Sequence, residues 1–177
     1  PAMAGNRGPF QWEEGSHWRF ITTSDHRETV QDGVCGAHEF EPATECGDFV
    51  VWTIRNEPAY QLAVVTDDIR QGVTDVVRGN DLLPSAARQQ LLYNAFQQKP
   101  PRWWHLPLVR GVDGRRLAKR HGDTRLDHYR DEGVPPQRIL GLIGWWCGLI
   151  PEREAISSEE FLTLFDADKL PSDDVVF

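Results

Sequence analysis

A short stretch of the sequence, Gly114–Asp123 (GRRLAKRHGD), concentrates positive charge in a chain that is acidic overall. Its basic residues are Arg115, Arg116, Lys119, Arg120 and His121. Arginine and lysine side chains bind phosphate oxygens through charge-assisted hydrogen bonds. The 177 residues together carry a formal net charge of −8, so the positive cluster is local. Two interpretations stay open at this point: a solvated surface loop, or a cradle for a phosphate-bearing ligand.

Four side chains upstream of this loop are candidates for binding or acid–base chemistry. Tyr60 begins the run YQLAVVTDD and Asp67 and Asp68 end it. We interpret the two aspartates as turn carboxylates at the end of a strand, and Tyr60 either caps that strand or lines a pocket. Arg78, in VVRGND, is either a surface ion-pair residue or a ligand for a carboxylate.

The sequence gives little support for a metal site. Cys35, His38 and Cys46 form the pattern C-x2-H-x7-C, which lacks a fourth ligand and the usual zinc spacing. The three cysteines are few and odd in number, which favours reduced thiols over a disulfide framework.

Composition limits the class of protein. The chain is 40% hydrophobic, enough for one compact domain, and its 27 acidic against 19 basic residues argue against coating nucleic acid by bulk charge. A local site for one nucleotide or one tRNA end stays open. The longest apolar run, Ile139–Ile150, is shorter than the ~18 residues that span a bilayer and predicts a buried helix. No secretory signal pattern is evident at the start, so we predict a soluble cytoplasmic protein.

The elements that must position these residues are strands followed by helices. WRFITT, ETVQDGVCG and DFVVWTI predict strands, with a tight turn at Asp32–Gly33. The run Tyr60–Asp68 predicts a strand buried on both faces that ends at a ligand crevice. A helix capped by Ser85 and a strand broken by Pro107 follow. In Trp103–Trp104–His105 at least one side chain should be in the core, because strand neighbours face opposite sides.

The last third of the chain predicts helices. TRLDHYRDEG ends at Gly133, PPQRILGLIGWWCGL begins with prolines, and SSEEFLTLFDAD begins with a serine cap followed by carboxylates. Strands and one helix followed by a helical end predict an α/β half-sheet with an attached helical module.

Three stretches carry a resemblance to a known family. RRLAKRHGD resembles the KMSKS loop of class I aminoacyl-tRNA synthetases, in the form seen in glutamate enzymes. The segment Pro58–Phe96 and the segment Pro101–Asp123 resemble, in order and spacing, the part of those enzymes that follows their connecting insertion. Within the family, the chain is most similar to the glutamyl-Q tRNA(Asp) synthetase group. The resemblance runs from about Trp18 to the end and is dense from Gly47 to Leu149.

The resemblance implies the second half of a Rossmann-like class I catalytic domain with a C-terminal helical module. Residues 1–17 are then a tag remnant and loop, 18–123 a partial catalytic domain, and 124–177 the helical module. By position, Tyr60 lines a glutamate pocket and Arg78 pairs with the substrate carboxylate. Lys119 is the catalytic lysine, and Arg116, Lys119 and Arg120 hold the ATP phosphates. Within the loop, Arg116 replaces a lysine and Ala118 a serine of the usual motif.

The implied activity has two steps: glutamate and ATP form glutamyl-adenylate and pyrophosphate, and the glutamyl group passes to the queuosine base of tRNA(Asp). Mg²⁺ would accompany ATP as its counter-ion. The chain contains no HIGH motif and no zinc-binding cysteine cluster of the kind relatives carry. We therefore expect an incomplete site, completed by a homodimer or by a missing N-terminal half. The alternatives are a non-catalytic remnant that binds tRNA or a nucleotide, and a fragment of an ordinary glutamyl-tRNA synthetase.

Overall fold

The computed structural model describes residues 15–23, 27–117 and 125–177. Its strands are β1 (Trp18–Phe20), β2 (Glu28–Asp32), β3 (Gly36–Phe40), β4 (Phe49–Trp52), β5 (Asp75–Gly79), β6 (Arg102–Leu106), β7 (Val109–Arg110) and β8 (Val175–Val176). Its α-helices are α1 (Tyr60–Gln71), α2 (Leu83–Ala95), α3 (Leu126–Asp131), α4 (Pro136–Trp146) and α5 (Ser158–Leu164). The predicted α/β class is confirmed.

A four-stranded mixed sheet organises the molecule, in the order β3-β2-β6-β5. β2 and β3 form an antiparallel hairpin around the predicted Asp32–Gly33 turn, while β6 runs parallel to both β2 and β5. Because β5, α2 and β6 form a βαβ unit, the carboxyl ends of the parallel strands meet at one edge, where ligands bind in α/β proteins. Arg78 and His105 are register partners close to that edge.

The segment Tyr60–Asp68 is helical, so the strand prediction was wrong. It forms most of α1, which ends at Gly72 with a left-handed backbone conformation (φ 68°). A continuous apolar run is compatible with either a strand or a helix. The length of the run distinguishes the two only when the residue at which it ends is recognised. Here Val65 and Ile69 pack on the core at a spacing of four, and Gly72 is the stop signal that the prediction missed.

The predicted N-cap of α2 was also wrong. The helix begins at Leu83, with Pro84 in its first turn, and Ser85 lies inside it. Ser85 is buried and its hydroxyl accepts a hydrogen bond from the Gln61 amide at 3.2 Å. The serine therefore joins α2 to α1 rather than starting a helix.

The terminal helices follow their predicted signals. Pro136 occupies the first turn of α4, and Gly133 follows α3. Ser157 and Glu160 form a reciprocal capping box at the start of α5. Most of Ile139–Ile150 is only half-buried, so the prediction of a buried helix over this run was too strong. The chain then returns to pair β8 in parallel with β7, which the sequence reasoning missed.

The core lies between the sheet and the first two helices. Its centre is formed by Val30, Val65, Ala86, Leu92 and Trp103. Within the described ranges, no helix is both long and apolar enough to cross a membrane. All three cysteines are free thiols.

Candidate functional site

Arg78 is the centre of a polar cluster at the carboxyl end of β5. Its Nε–H donates to Nε2 of His105 at 3.0 Å, and its Nη2 donates to the Leu82 carbonyl at 3.3 Å. The guanidinium also lies over the Trp103 ring, 5.1 Å from its centroid. Burial lowers the pKa of Arg78, while Tyr60 and Asp68 oppose that shift. The guanidinium is thus held in one orientation and stays charged.

His105 and Asp32 lie behind Arg78, both with fully buried side chains. Nδ1 of His105 is 2.5 Å from Oδ2 of Asp32. Burial acts against ionisation of Asp32, but hydrogen bonds led by the Cys35 amide outweigh it and lower the Asp32 pKa. Burial lowers the pKa of His105, although Asp32 acts in the opposite direction. The pair is therefore a carboxylate and a neutral imidazole.

α1 and α2 cover the cluster, and only Tyr60 of the residues that they contribute is exposed to solvent. Tyr60, the first residue of α1, is 59% exposed and interacts with the Arg78 guanidinium. Asp68 lies two helical turns further on, and burial raises its pKa while Tyr93 and Arg78 oppose that shift. Burial and the Asp68 charge raise the pKa of Tyr93 to about 12. A cation reachable beside an exposed tyrosine can bind an anionic ligand.

The basic loop begins close to the same strand end. Nη1 of Arg116 donates to Oδ2 of Asp81 at 2.9 Å, just beyond β5. The loop base is closed by the Leu117 amide bonding to the Val109 carbonyl and by Arg110, which pairs with Asp174. A guanidinium in this place suits the phosphate-binding role predicted for Arg116. Lys119 and Arg120 lie outside the described residues.

The structure brings together two of the predicted site residues, Tyr60 and Arg78, and sets Arg116 beyond the end of the same strand. Asp67 forms a 4.0 Å contact with Arg70 on the helix surface, consistent with a structural role. Within the described segments, no group of three or more potential metal ligands is present. His38 Nε2 lies 2.9 Å from the Cys35 carbonyl oxygen, and the Cys35 thiol donates to the His105 carbonyl.

Sequence reasoning missed Asp32 and His105 as members of the site. The sequence indicates only a turn at Asp32 and, for Trp103–Trp104–His105, at least one core side chain. The prediction that neighbouring side chains of this strand face opposite sides is confirmed. Trp103 and His105 are buried, while Trp104 lies on the other face and is half-buried. The available signal was position: both residues lie at or near the carboxyl end of a predicted strand, where parallel strands bring side chains together.

Comparison with known proteins identifies the family. The family model for "tRNA synthetases class I (E and Q), catalytic domain" matches residues 11–176. The chain belongs to this synthetase family. The predicted resemblance is confirmed, and the mixed α/β sheet is consistent with a Rossmann-like class I synthetase domain.

Among curated relatives of the synthetase family, a glutamyl-Q tRNA(Asp) synthetase of Rhodopirellula baltica is 50% identical over 74% of this chain and 41% of its own length. A second, from Symbiobacterium thermophilum, is 42% identical over 85% of this chain and 46% of its own length. A glutamate–tRNA ligase of Halorhodospira halophila is 38% identical over 86% of this chain and 32% of its own length.

Solved synthetase structures show the same fold. The glutamate–tRNA synthetase of Elizabethkingia anophelis superimposes with a TM-score of 0.76 at 26% identity, over 90% of this chain and 36% of that chain. The present chain spans less than half the length of the curated relatives described above. The synthetase fold is therefore represented here in part.

Proposed function

We propose that this chain is the glutamate-binding part of a glutamyl-Q tRNA(Asp) synthetase. The complete reaction activates glutamate with ATP and transfers the glutamyl group to queuosine of tRNA(Asp). Arg78 and Tyr60 bind glutamate, Arg116, Lys119 and Arg120 bind the ATP phosphates, and Lys119 stabilises the phosphates as pyrophosphate leaves. Mg²⁺ enters with ATP, and the cytoplasm is the compartment in which these substrates meet.

The observation that carries the proposal is the anchoring of Arg78. The bonds to His105 and Leu82 use two of the five N–H donors of its guanidinium. The Arg78 guanidinium is held on its buried side, and Tyr60 lies on the side open to solvent. A fixed, planar cation is the group that recognises a carboxylate, so it fits the acidic side chain of glutamate better than a neutral amide. The greater identity to the two glutamyl-Q relatives favours queuosine as acceptor.

Two alternatives have an observation of their own. Glutamate–tRNA ligases are also 36–41% identical to this chain, which fits a part of an ordinary glutamyl-tRNA synthetase. The 177 residues contain no HIGH motif, which fits a module that binds glutamate, a nucleotide or tRNA without chemistry.

Binding and chemistry are tested separately. Titration of the 177-residue chain with L-glutamate in a calorimeter should show saturable binding, with L-glutamine weaker. Arg78→Gln should reduce the affinity about 100-fold, since a charge-assisted pair is lost. Arg70→Gln is the matched control, because that arginine lies on the exposed face of α1. Equal binding of glutamate to wild type and Arg78→Gln contradicts the assignment.

Glutamate-dependent ATP–pyrophosphate exchange then tests activation, with Lys119→Ala as the control for a contaminating synthetase. Exchange lost in Lys119→Ala supports the enzyme. Glutamate binding without exchange favours the non-catalytic module. Where exchange is present, transfer to tRNA(Asp) only when it carries queuosine supports the glutamyl-Q activity, and transfer to tRNA(Glu) supports the ordinary ligase.

A further inference from the structure

A buried chain of three polar side chains crosses the sheet from β2 to β5. Asp32 Oδ2 contacts His105 Nδ1 at 2.5 Å, and His105 Nε2 contacts Arg78 Nε at 3.0 Å. The Asp32 and His105 side chains have no exposed surface. Buried ionisable groups lower stability unless their hydrogen bonds are satisfied. Each contact in the Asp32–His105–Arg78 series must therefore join one donor to one acceptor.

The proton positions follow from the chemistry of arginine. The Nε–H of Arg78 is always a donor, so the facing Nε2 of His105 must be the unprotonated nitrogen. The ring proton is then on Nδ1, where it donates to Asp32. Burial lowers the pKa of His105, which keeps the ring neutral and in agreement with this arrangement.

We propose that Asp32 and His105 are positioning residues: Asp32 fixes the Nδ1–H tautomer of His105, and His105 thereby holds the guanidinium of Arg78 in its binding orientation. The role in glutamate recognition rests on the proposed function of Arg78, whereas the tautomer and the orientation do not. A second proton on His105 places two donors opposite each other at Nε2 and Nε, which releases Arg78.

Titratable groups on the neighbouring elements surround the Asp32–His105–Arg78 series. Asp68 and Tyr60 of α1 face Arg78, and Asp68 also faces Tyr93 of α2. Next to Asp32, the Cys35 thiol has its pKa raised by burial and by the Asp32 charge, so it stays protonated and neutral. Asp32 and the Leu82 carbonyl favour a protonated His105 ring, whereas the Arg78 charge and burial oppose it. Acid must therefore overcome burial before the contact between His105 and Arg78 breaks.

The variant Asp32→Asn tests the tautomer at the level of atoms. Oδ1 of Asp32 accepts from the Val34 and Cys35 amides at 2.9 and 2.8 Å, so an asparagine keeps its oxygen there. Its NH₂ group then replaces Oδ2 and faces Nδ1 of His105. Two donors cannot face each other, so the ring moves its proton to Nε2, which opposes the Nε–H of Arg78.

The experiment is a long-range ¹H–¹⁵N NMR spectrum of the histidine rings, recorded with the Arg78 Nε–H resonance. Wild type at pH 7 should show His105 protonated at Nδ1 and unprotonated at Nε2, and Asp32→Asn should reverse the two signals and shift the Arg78 resonance. Asp127→Asn, on the exposed α3, should change neither. Glutamate affinity should fall about tenfold in Asp32→Asn and be unchanged in Asp127→Asn.

The spectrum also keeps the two proposals separate. A wild-type His105 that carries its proton on Nε2 overturns the positioning role without any variant, even if Asp32→Asn does not fold. A shifted tautomer with an unmoved Arg78 resonance overturns it as well. If the protein binds no glutamate but shows the expected tautomer and Arg78 shift, the positioning role is supported and only the proposed function is contradicted.

Discussion

Near their carboxyl ends, β5 and β6 carry polar side chains on the sheet face that also holds the core, and apolar side chains on the other face. On one face Arg78 and His105 are neighbours in register and lie beneath α1 and α2. On the other face Val77 and Trp104 are neighbours and border an apolar pocket of about 540 Å³ under α4 and α5. His105 is fully buried, whereas Val77 is 62% exposed. Polar groups are thus enclosed on one face while apolar groups remain accessible on the other.

The two faces differ in how strictly their side chains must be paired. Burying an ionisable pair is favourable only when every donor and acceptor is paired, so the polar face must be rigid. The apolar side chains of the other face have no such requirement, because dispersion contacts and apolar burial are non-directional. Substitutions on the first face should therefore cost much more than equivalent substitutions on the second.

The largest effect is expected for His105→Leu. Leucine fills the space but leaves the Asp32 carboxylate without its imidazole partner, which should lower the free energy of unfolding by about 3 kcal/mol. Urea denaturation followed by tryptophan fluorescence measures the change. Val77→Thr is the control from the other face and should change it by less than about 0.5 kcal/mol. Equal losses in the two variants would remove the contrast between the faces.

A smaller effect is expected for Gly141→Ala, in the helix that covers the apolar face. A Cβ at this position would lie 1.6 Å from the Glu154 backbone oxygen, so α4 must move away from that segment. The gain of ~1 kcal/mol in helix propensity is outweighed, and we expect a net loss of about 2 kcal/mol in the free energy of unfolding.

Gly144→Ala is the matched control for that helix. Its Cβ would meet the terminal methyl of Ile156 at 3.2 Å, which a side-chain rotation relieves. A thermal melt of the two variants should show a clearly lower Tm for Gly141→Ala alone. If Gly144→Ala is equally destabilised, the close contact of α4 with the Glu154 backbone is not the determining one.

The smallest and most specific effect is a pH dependence of the polar face. The folded pKa of His105 lies below its ordinary 6.5, so the unfolded state binds the extra proton first. Stability should therefore decrease as the pH falls from about 6.5 through the folded pKa of the ring. Asp32, whose pKa is lowered from 3.8, adds a second loss at more acidic pH.

Urea midpoints measured between pH 7 and pH 3 check this prediction. In His105→Gln the loss that begins near pH 6.5 should disappear, while the loss at the lowest pH remains. A slope near pH 6 that is the same in both proteins would show that another group causes it.

Local signals in the sequence predicted more than long-range ones. The tight turn after Asp32, the strand break at Pro107 and the serine cap of SSEEFLTLFDAD each depend on a few neighbouring residues, and all three are confirmed. The strand prediction for the run from Tyr60 was wrong because an apolar stretch fits both a buried strand and a helix face. The helix stop signal at Gly72 did not enter that prediction.

The candidate site was predictable only in part. Family resemblance pointed to Tyr60 and Arg78, and these side chains do lie together. The Asp32–His105 pair was not foreseen, since it joins residues 73 positions apart through a parallel pairing that no local pattern specifies. The division into catalytic and helical parts at residue 124 stays a prediction.

Asp174 has a consequence for the order in which the chain acquires its structure. Its carboxylate accepts hydrogen bonds from the Asn80 side chain, 94 positions earlier, and from the Leu108 amide. Contacts of such sequence separation form late, because a long segment must be closed first. During synthesis from the amino end, the base of the basic loop therefore stays incomplete until Asp174 has left the ribosome.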